Sequence, residues 1–202
     1  MRQNETEMAL TGIADNLFVP DIGQKMIRVQ KVMHLVRAAA FLFYDKDKPV
    51  QALIHQMKYA ERPEVGYTLG RQAAIEFQYA DFFDGIDVIV PIPLHKNRLR
   101  SRGYNQSEYI ARGISAVTGI PVDTTHVTRE TDTPQQALQS GADRAENVKN
   151  AFAVNHPEQM YRKHILVVDD LVTTGETMRS CLKAMRRIRG VKFSVFALCK
   201  AR

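Results

Sequence analysis

The stretch His164–Leu182, HILVVDDLVTTGETMRSCL, constrains the fold of this chain more than any other. Ile165-Leu166-Val167-Val168 is apolar at every position. That suits a central strand of a parallel sheet covered on both faces, not a strand with one wet side. Asp169 and Asp170 fall where such a strand is expected to end. Thr173-Thr174-Gly175 then reads as a turn into a helix, with Met178, Cys181, Leu182, Met185 and Ile188 as its core stripe. Ligands of open α/β sheets bind at the carboxyl ends of strands. A helix start offers free N–H groups and a positive dipole end, which suits a phosphate. Paired carboxylates beside it suit ribose hydroxyls or a hydrated Mg²⁺.

Each part also has a plainer meaning. Thr173 with Glu176 spells a capping box. Paired acids after a strand also occur in receiver domains and in nucleotide hydrolases, but the hydrolases need a G-x-x-x-x-G-K-[ST] loop, and this chain has none. The ordered set of buried strand, Asp-Asp, Thr-Thr-Gly and Thr177 is far more specific than any one of its parts.

Elsewhere strands alternate with helices. Residues 36–44 are apolar and aromatic and read as a strand. A turn over Asp45–Pro49 leads to a helix with Val50, Leu53, Ile54 and Met57 on one face. A second helix is expected from Pro63 to about Tyr79, with Gly66, Gly70, Ala73 and Ala74 as a smooth face for close packing. Ile86–Ile92 reads as a strand. The next stretch, PLHKNRLRSRGYNQ, reads as a loop crowded with Lys96, Arg98, Arg100 and Arg102. Ser107 is expected to cap the following helix, whose stripe is Ile110, Ile114 and Val117 and whose stop is Gly119 with Pro121. Short strands follow at Thr124–Arg129 and Ala151–Val154. The polar segment between them, Glu130–Asn150, has the length and composition of a lid. Val191–Cys199 is a final strand. This order implies an α/β fold: a mostly parallel twisted sheet flanked by helices on both faces.

With 202 residues, the chain is expected to form one domain over 36–202, preceded by an extension over 1–35 that packs on it. No apolar run approaches the roughly 20 residues of a membrane span. The amino terminus lacks the pattern of a signal peptide, so the cytoplasm is the expected compartment. Cys181 and Cys199 are the only cysteines and fall in apolar elements, as buried thiols would. A net charge of +6 fits an anionic ligand and also permits a nucleic-acid face. The cationic run alone reads first as a solvated face. At a strand's carboxyl end, beside a phosphate-binding turn, it also suits pyrophosphate, because guanidinium groups bind phosphate oxygens bidentately.

VVDDLVTTGET resembles the phosphoribosyl pyrophosphate (PRPP) binding motif of type I phosphoribosyltransferases. The resemblance implies that Asp169 and Asp170 contact the ribose hydroxyls of PRPP. It implies that Thr173, Thr174, Gly175 and Thr177 surround the 5′-phosphate, with Leu171 and Val172 contributing backbone. It extends further: VIVPIPLHKNRLRSRGYNQ is similar to the signature of the ComF family, a bacterial branch linked to natural competence. The matching positions are Pro91, Pro93, Arg102, Gly103, Tyr104, Asn105 and Gln106. Residues Arg129, Thr133, Pro134, Gln135, Leu138, Arg144, Asn147 and Phe152 resemble the family's long loop, and Tyr44, Ile54, Lys58 and Tyr59 its upstream helix. Many members begin with a cysteine-rich zinc ribbon. This chain has no cysteine before Cys181, and His34 with His55 cannot supply the four ligands of a structural zinc site, so no zinc is expected.

By this resemblance the chemistry is attack of an acceptor on the anomeric carbon of PRPP as pyrophosphate leaves, with Mg²⁺ and cations neutralising the leaving group. Asp169 and Asp170 orient ribose and metal, the latter held through PRPP. The segment carrying Lys96, Arg98, Arg100 and Arg102 takes pyrophosphate, with Lys58, Tyr59, Arg129 and Arg144 as weaker candidates. Three readings remain open on the sequence: a PRPP-dependent transferase, a competence factor binding single-stranded DNA or DNA-uptake proteins, and a PRPP or nucleotide sensor that moves its lid without turnover.

Overall fold

The computed structural model describes residues 34–44, 49–59, 62–131 and 151–201. Four parallel strands form the main sheet: β1 (Leu35–Tyr44), β2 (Val88–Pro91), β5 (His164–Val172) and β6 (Lys192–Ala201). Their spatial order is β1-β6-β5-β2, so β5 is an inner strand, as its unbroken apolar run requires. Alternation along β5 sends Leu166 and Val168 to one core and Ile165 and Val167 to the other. The first core is closed by α1 (Pro49–Tyr59), α2 (Pro63–Gln78) and α4 (Gln106–Thr118). The second is closed by α5 (Glu176–Met185) and by a small antiparallel pair, β3 (Val127–Arg129) with β4 (Phe152–Val154). Helices therefore cover both faces of a parallel sheet.

The expected smooth face of α2 is real, and its partner is α4. A Cβ on Gly70 would lie 2.3 Å from the Ile110 carbonyl oxygen, and one on Gly113 would lie 2.2 Å from that of Tyr67. The two helices thus cross backbone to backbone. Cys181 and Cys199 are buried free thiols, both pushed up by desolvation. Among the described residues no helix is long and apolar enough to cross a membrane.

Several expected boundaries move. The basic stretch is not a loop but a short helix, α3 (Lys96–Arg102). His95 Nδ1 accepts from the Asn97 N–H at 3.3 Å to start it, and Gly103, at φ 83°, ends it with its N–H on the Leu99 carbonyl at 2.8 Å. Ser107 is not the cap of α4. Asn105 is, with its side-chain oxygen accepting from the Ser107 N–H at 3.2 Å. The strand after α4 begins only at Val127, because Asp123 Oδ1 binds the N–H groups of Thr125 and His126 in a turn. β5 runs on through the acidic pair to Val172, so Leu171 and Val172 pair with Cys199 and Lys200 of β6 and are not loop residues. The Thr173–Glu176 capping box does not form. α5 starts after Gly175, at φ 78°, and Glu176 pairs instead with Arg179 at 2.9 Å. The extension (apart from its last residues), nearly all of the lid and Arg144 lie outside the described residues, as does the side chain of Tyr59.

Candidate functional site

The site is assembled where β5 and β2 end. Asp169 and Asp170 are consecutive strand residues and meet different neighbours, as the pleat dictates. Asp169 Oδ1 accepts from the Ser107 hydroxyl at 3.3 Å and from the Asp170 N–H at 2.9 Å. Asp170 Oδ2 lies 2.8 Å from Lys58 Nζ. The first contact comes from the start of α4 and the second from the end of α1, so the acidic pair ties two helices to the inner strand.

These two carboxylates differ electrostatically. Asp169 is only 8% exposed. Desolvation, and then the negative charge of Asp170, hold its carboxyl well above the usual carboxylate range. The folded protein therefore binds this proton more tightly than the unfolded chain does. The contribution of Asp169 to stability is greatest at acidic pH and falls as pH climbs from the ordinary aspartate value, about 4, towards the raised folded one. Asp169→Asn keeps an acceptor for Ser107 and Asp170 but removes the charge. Thermal melts across pH should show the variant more stable at neutral pH by roughly 1–3 kcal/mol, with the gain shrinking on acidification. A gain independent of pH would mean that the charge of Asp169 is not the destabilising element.

The turn after β5 is exposed at its threonines, Thr173, Thr174 and Thr177. Among the described residues, no side chain of the N-cap residue, Gly175, closes the start of α5, and a long 3.5 Å contact from the Glu176 N–H to Thr174 Oγ1 touches it.

The α3 helix sorts the four cations into two pairs by i,i+4 spacing. Lys96 and Arg100 are exposed, whereas Arg98 and Arg102 are half-buried. Arg102 donates to Gln106 Oε1 at 2.7 Å. Tyr104 follows the helix and donates to the Met57 carbonyl at 2.7 Å, which fixes the turn of α1 that presents Lys58. Asn105 Nδ2 donates to the Ile92 carbonyl at 3.0 Å, locking α4 to the end of β2. Arg129 lies across the sheet from Lys58, its guanidinium 5.5 Å above the Phe152 ring.

The structure thus brings together Asp169, Asp170 and Lys58, with the Thr173–Thr177 turn following directly in the chain. It adds Ser107, which the sequence offers only as a helix cap. The available signal was Asn105: a strong N-cap two positions earlier leaves the Ser107 hydroxyl free for other work. Among the described residues no three His, Cys, Asp or Glu side chains cluster as a metal site.

A parallel sheet whose inner strand carries adjacent carboxylates near its end, ahead of a helix whose N-cap is a glycine, with helices on both faces, defines an α/β protein. No family model matches the chain. Among curated proteins it is 34% identical over 159 residues to DNA utilization protein YhgH of Escherichia coli (strain K12), covering 77% of this chain and 69% of that one. It is 31% identical over 159 residues to competence protein F of Haemophilus influenzae, covering 76% and 69%. The chain belongs to the competence protein F (ComF) family. Among solved structures it is similar to the glutamine PRPP amidotransferase of B. subtilis complexed with ADP and GMP, at 19% identity and TM-score 0.43, over 64% of this chain and 25% of that chain. Another is the UMP synthase of Leishmania donovani, at 18% identity and TM-score 0.39, over 87% and 31%.

Proposed function

We propose that this protein binds PRPP at the end of β5 and transfers its ribose 5-phosphate to an acceptor, with release of pyrophosphate, in the uptake or use of DNA. The observation that carries this reading is the acidic pair Asp169-Asp170, held by Ser107 and Lys58, directly ahead of the uncapped start of α5. In this reading the Thr173–Thr177 turn and the first N–H groups of α5 take the 5′-phosphate. Asp170, partly exposed and charge-paired, accepts from a ribose hydroxyl, and Asp169 orders Asp170 through its backbone N–H. The α3 helix, with Lys96, Arg98, Arg100 and Arg102, receives the pyrophosphate. The bond from the anomeric carbon to pyrophosphate oxygen breaks with its electron pair on the leaving group, while a bond to the acceptor forms. A raised proton affinity at Asp169 spares the empty site two adjacent full charges.

The donor set also fits Mg²⁺. That ion takes oxygen ligands, keeps several waters and is held by one or two carboxylates together with substrate phosphates. Asp169 and Asp170 are the carboxylates that would hold it, and its chemistry would be neutralisation of charge on the departing pyrophosphate. We place the activity in the cytoplasm, where buried free thiols persist.

Pyrophosphate release from PRPP and Mg²⁺, measured with a panel of purine and pyrimidine bases, tests turnover. Release that depends on Asp170 supports the transferase. Tight binding of PRPP without release from any acceptor would contradict it and leave a sensor, whose expected lid falls largely outside the described residues.

The exposed face of α3 supports a second activity on the same chain. Lys96 and Arg100 are exposed on that face beside Leu99, which is 42% exposed. This surface suits a single-stranded DNA backbone, and the relatives are named for DNA utilization and competence. Lys96→Ala with Arg100→Ala should flatten the slope of log affinity against log salt by about 1.4. An unchanged slope would remove α3 from any DNA contact.

A further inference from the structure

A second concavity lies on the far side of α5. Its walls are β4 and the residues at and beyond the carboxyl end of α5, and its volume is about 370 Å³. Phe152, Val154 and Ala184 give it an apolar floor, and Lys183, Arg186 and Arg187 line the same cleft. All three cations are exposed. Among the described residues none of them pairs with a carboxylate. Glu158, the acid on the neighbouring turn, faces His156 at 3.5 Å.

Cations at a helix carboxyl end commonly serve the helix dipole, and that role needs no cleft. Here they converge on one with an aromatic residue in its wall. Phe152 is held in place by the Arg129 guanidinium at 5.5 Å. The α5 helix has ten residues, so its two ends lie about 14 Å apart. The cleft is therefore distinct from the turn at Thr173–Thr177.

We infer that this cleft is a second anion site for a nucleoside monophosphate unit. Two guanidinium groups and an ammonium match the oxygens of a phosphate. The apolar floor takes the flat face of a base. The volume sits at the small end of ligand pockets, which suits one nucleotide and not two. The unit has two sources: a free nucleotide, or one residue of a strand passing over the cleft.

Calorimetric titration of the full chain with adenosine monophosphate tests the site. Arg186→Ala with Arg187→Ala removes the phosphate contacts. Ala184→Trp fills the cleft without changing charge, and Ala184 is only half-buried, so the fold should tolerate it. Lys163→Ala with Arg189→Ala removes two charges elsewhere. Both cleft variants should weaken binding at least about tenfold, while the control pair changes it by less than about twofold. The site is overturned if the wild type binds no nucleotide, if the control pair loses as much as the cleft pair, or if Ala184→Trp binds normally. Loss confined to Asp170→Asn would put the nucleotide in the β5 site instead and overturn it equally. A short 5′-phosphorylated oligothymidylate names the source. Binding tighter than the mononucleotide, and lost in the cleft variants, indicates a strand. Weaker binding than the mononucleotide indicates a free nucleotide.

Discussion

Replacing Gly113 by alanine is expected to cost about 3 kcal/mol of stability, among the largest effects of any methyl-sized change in this protein. The new Cβ would fall 2.2 Å from the Tyr67 carbonyl oxygen and 2.9 Å from the Arg71 backbone nitrogen. Backbone atoms of a packed helix cannot swing aside as a side chain can, so α2 and α4 must separate. Gly70→Ala forces the same separation from the other helix, against the Ile110 carbonyl at 2.3 Å. The two substitutions should therefore be less than additive, because the first has already opened the crossing. Gly66→Ala is the matched control. Its Cβ would meet the Met57 sulfur at 3.0 Å, and a thioether at the end of a flexible side chain can shift. Denaturant melts should rank Gly113→Ala and Gly70→Ala far below Gly66→Ala. Equal losses at all three would show that the backbone crossing is not the limiting contact. Separation would also reach the site, because α4 carries Ser107 to Asp169.

Asp170→Asn is expected to weaken PRPP binding about 100-fold while the protein stays folded. The carboxylate is half-buried and faces Lys58 at 2.8 Å, so the amide loses a charge-assisted contact and leaves an ammonium without its counter-ion. The effect is expected in affinity and not in the fold, because the strand's hydrophobic partners are untouched. Calorimetry together with a thermal melt separates the two. An unfolded variant would mean that the pair is chiefly structural, and unchanged affinity would remove Asp170 from the ligand.

Much of this was legible because the signals are local. The run Ile165–Val168 has no polar position and so had to be an inner strand, and Gly119 had to stop α4. The helical stripe of Val50, Leu53, Ile54 and Met57 held for the same reason. What stayed hidden depends on competition or on distance. The basic stretch has no apolar period, so it read as a loop, yet His95 and Gly103 cap it into a helix from either end. Asn105 outcompetes Ser107 for the cap of α4, and that frees the serine for Asp169. No pattern within α2 names Gly113 as its partner, since a close crossing is a property of two segments together. Lys58 was suggested only by resemblance, because nothing in its own helix signals that its ammonium reaches the end of β5. Part of the site remained invisible for another reason. Asp169 looks in the sequence like a plain twin of Asp170, and only the fold shows that it is buried, with Ser107 and the Asp170 N–H as its partners.

The most direct measurement is a calorimetric titration of the wild-type chain with PRPP, with and without Mg²⁺, paired with amide hydrogen exchange over Thr173–Met178. Saturable binding at a single site is expected, strengthened by Mg²⁺, with slowed exchange at the first N–H groups of α5. A folded protein that takes up no PRPP under either condition, with exchange at that turn unchanged, would contradict it.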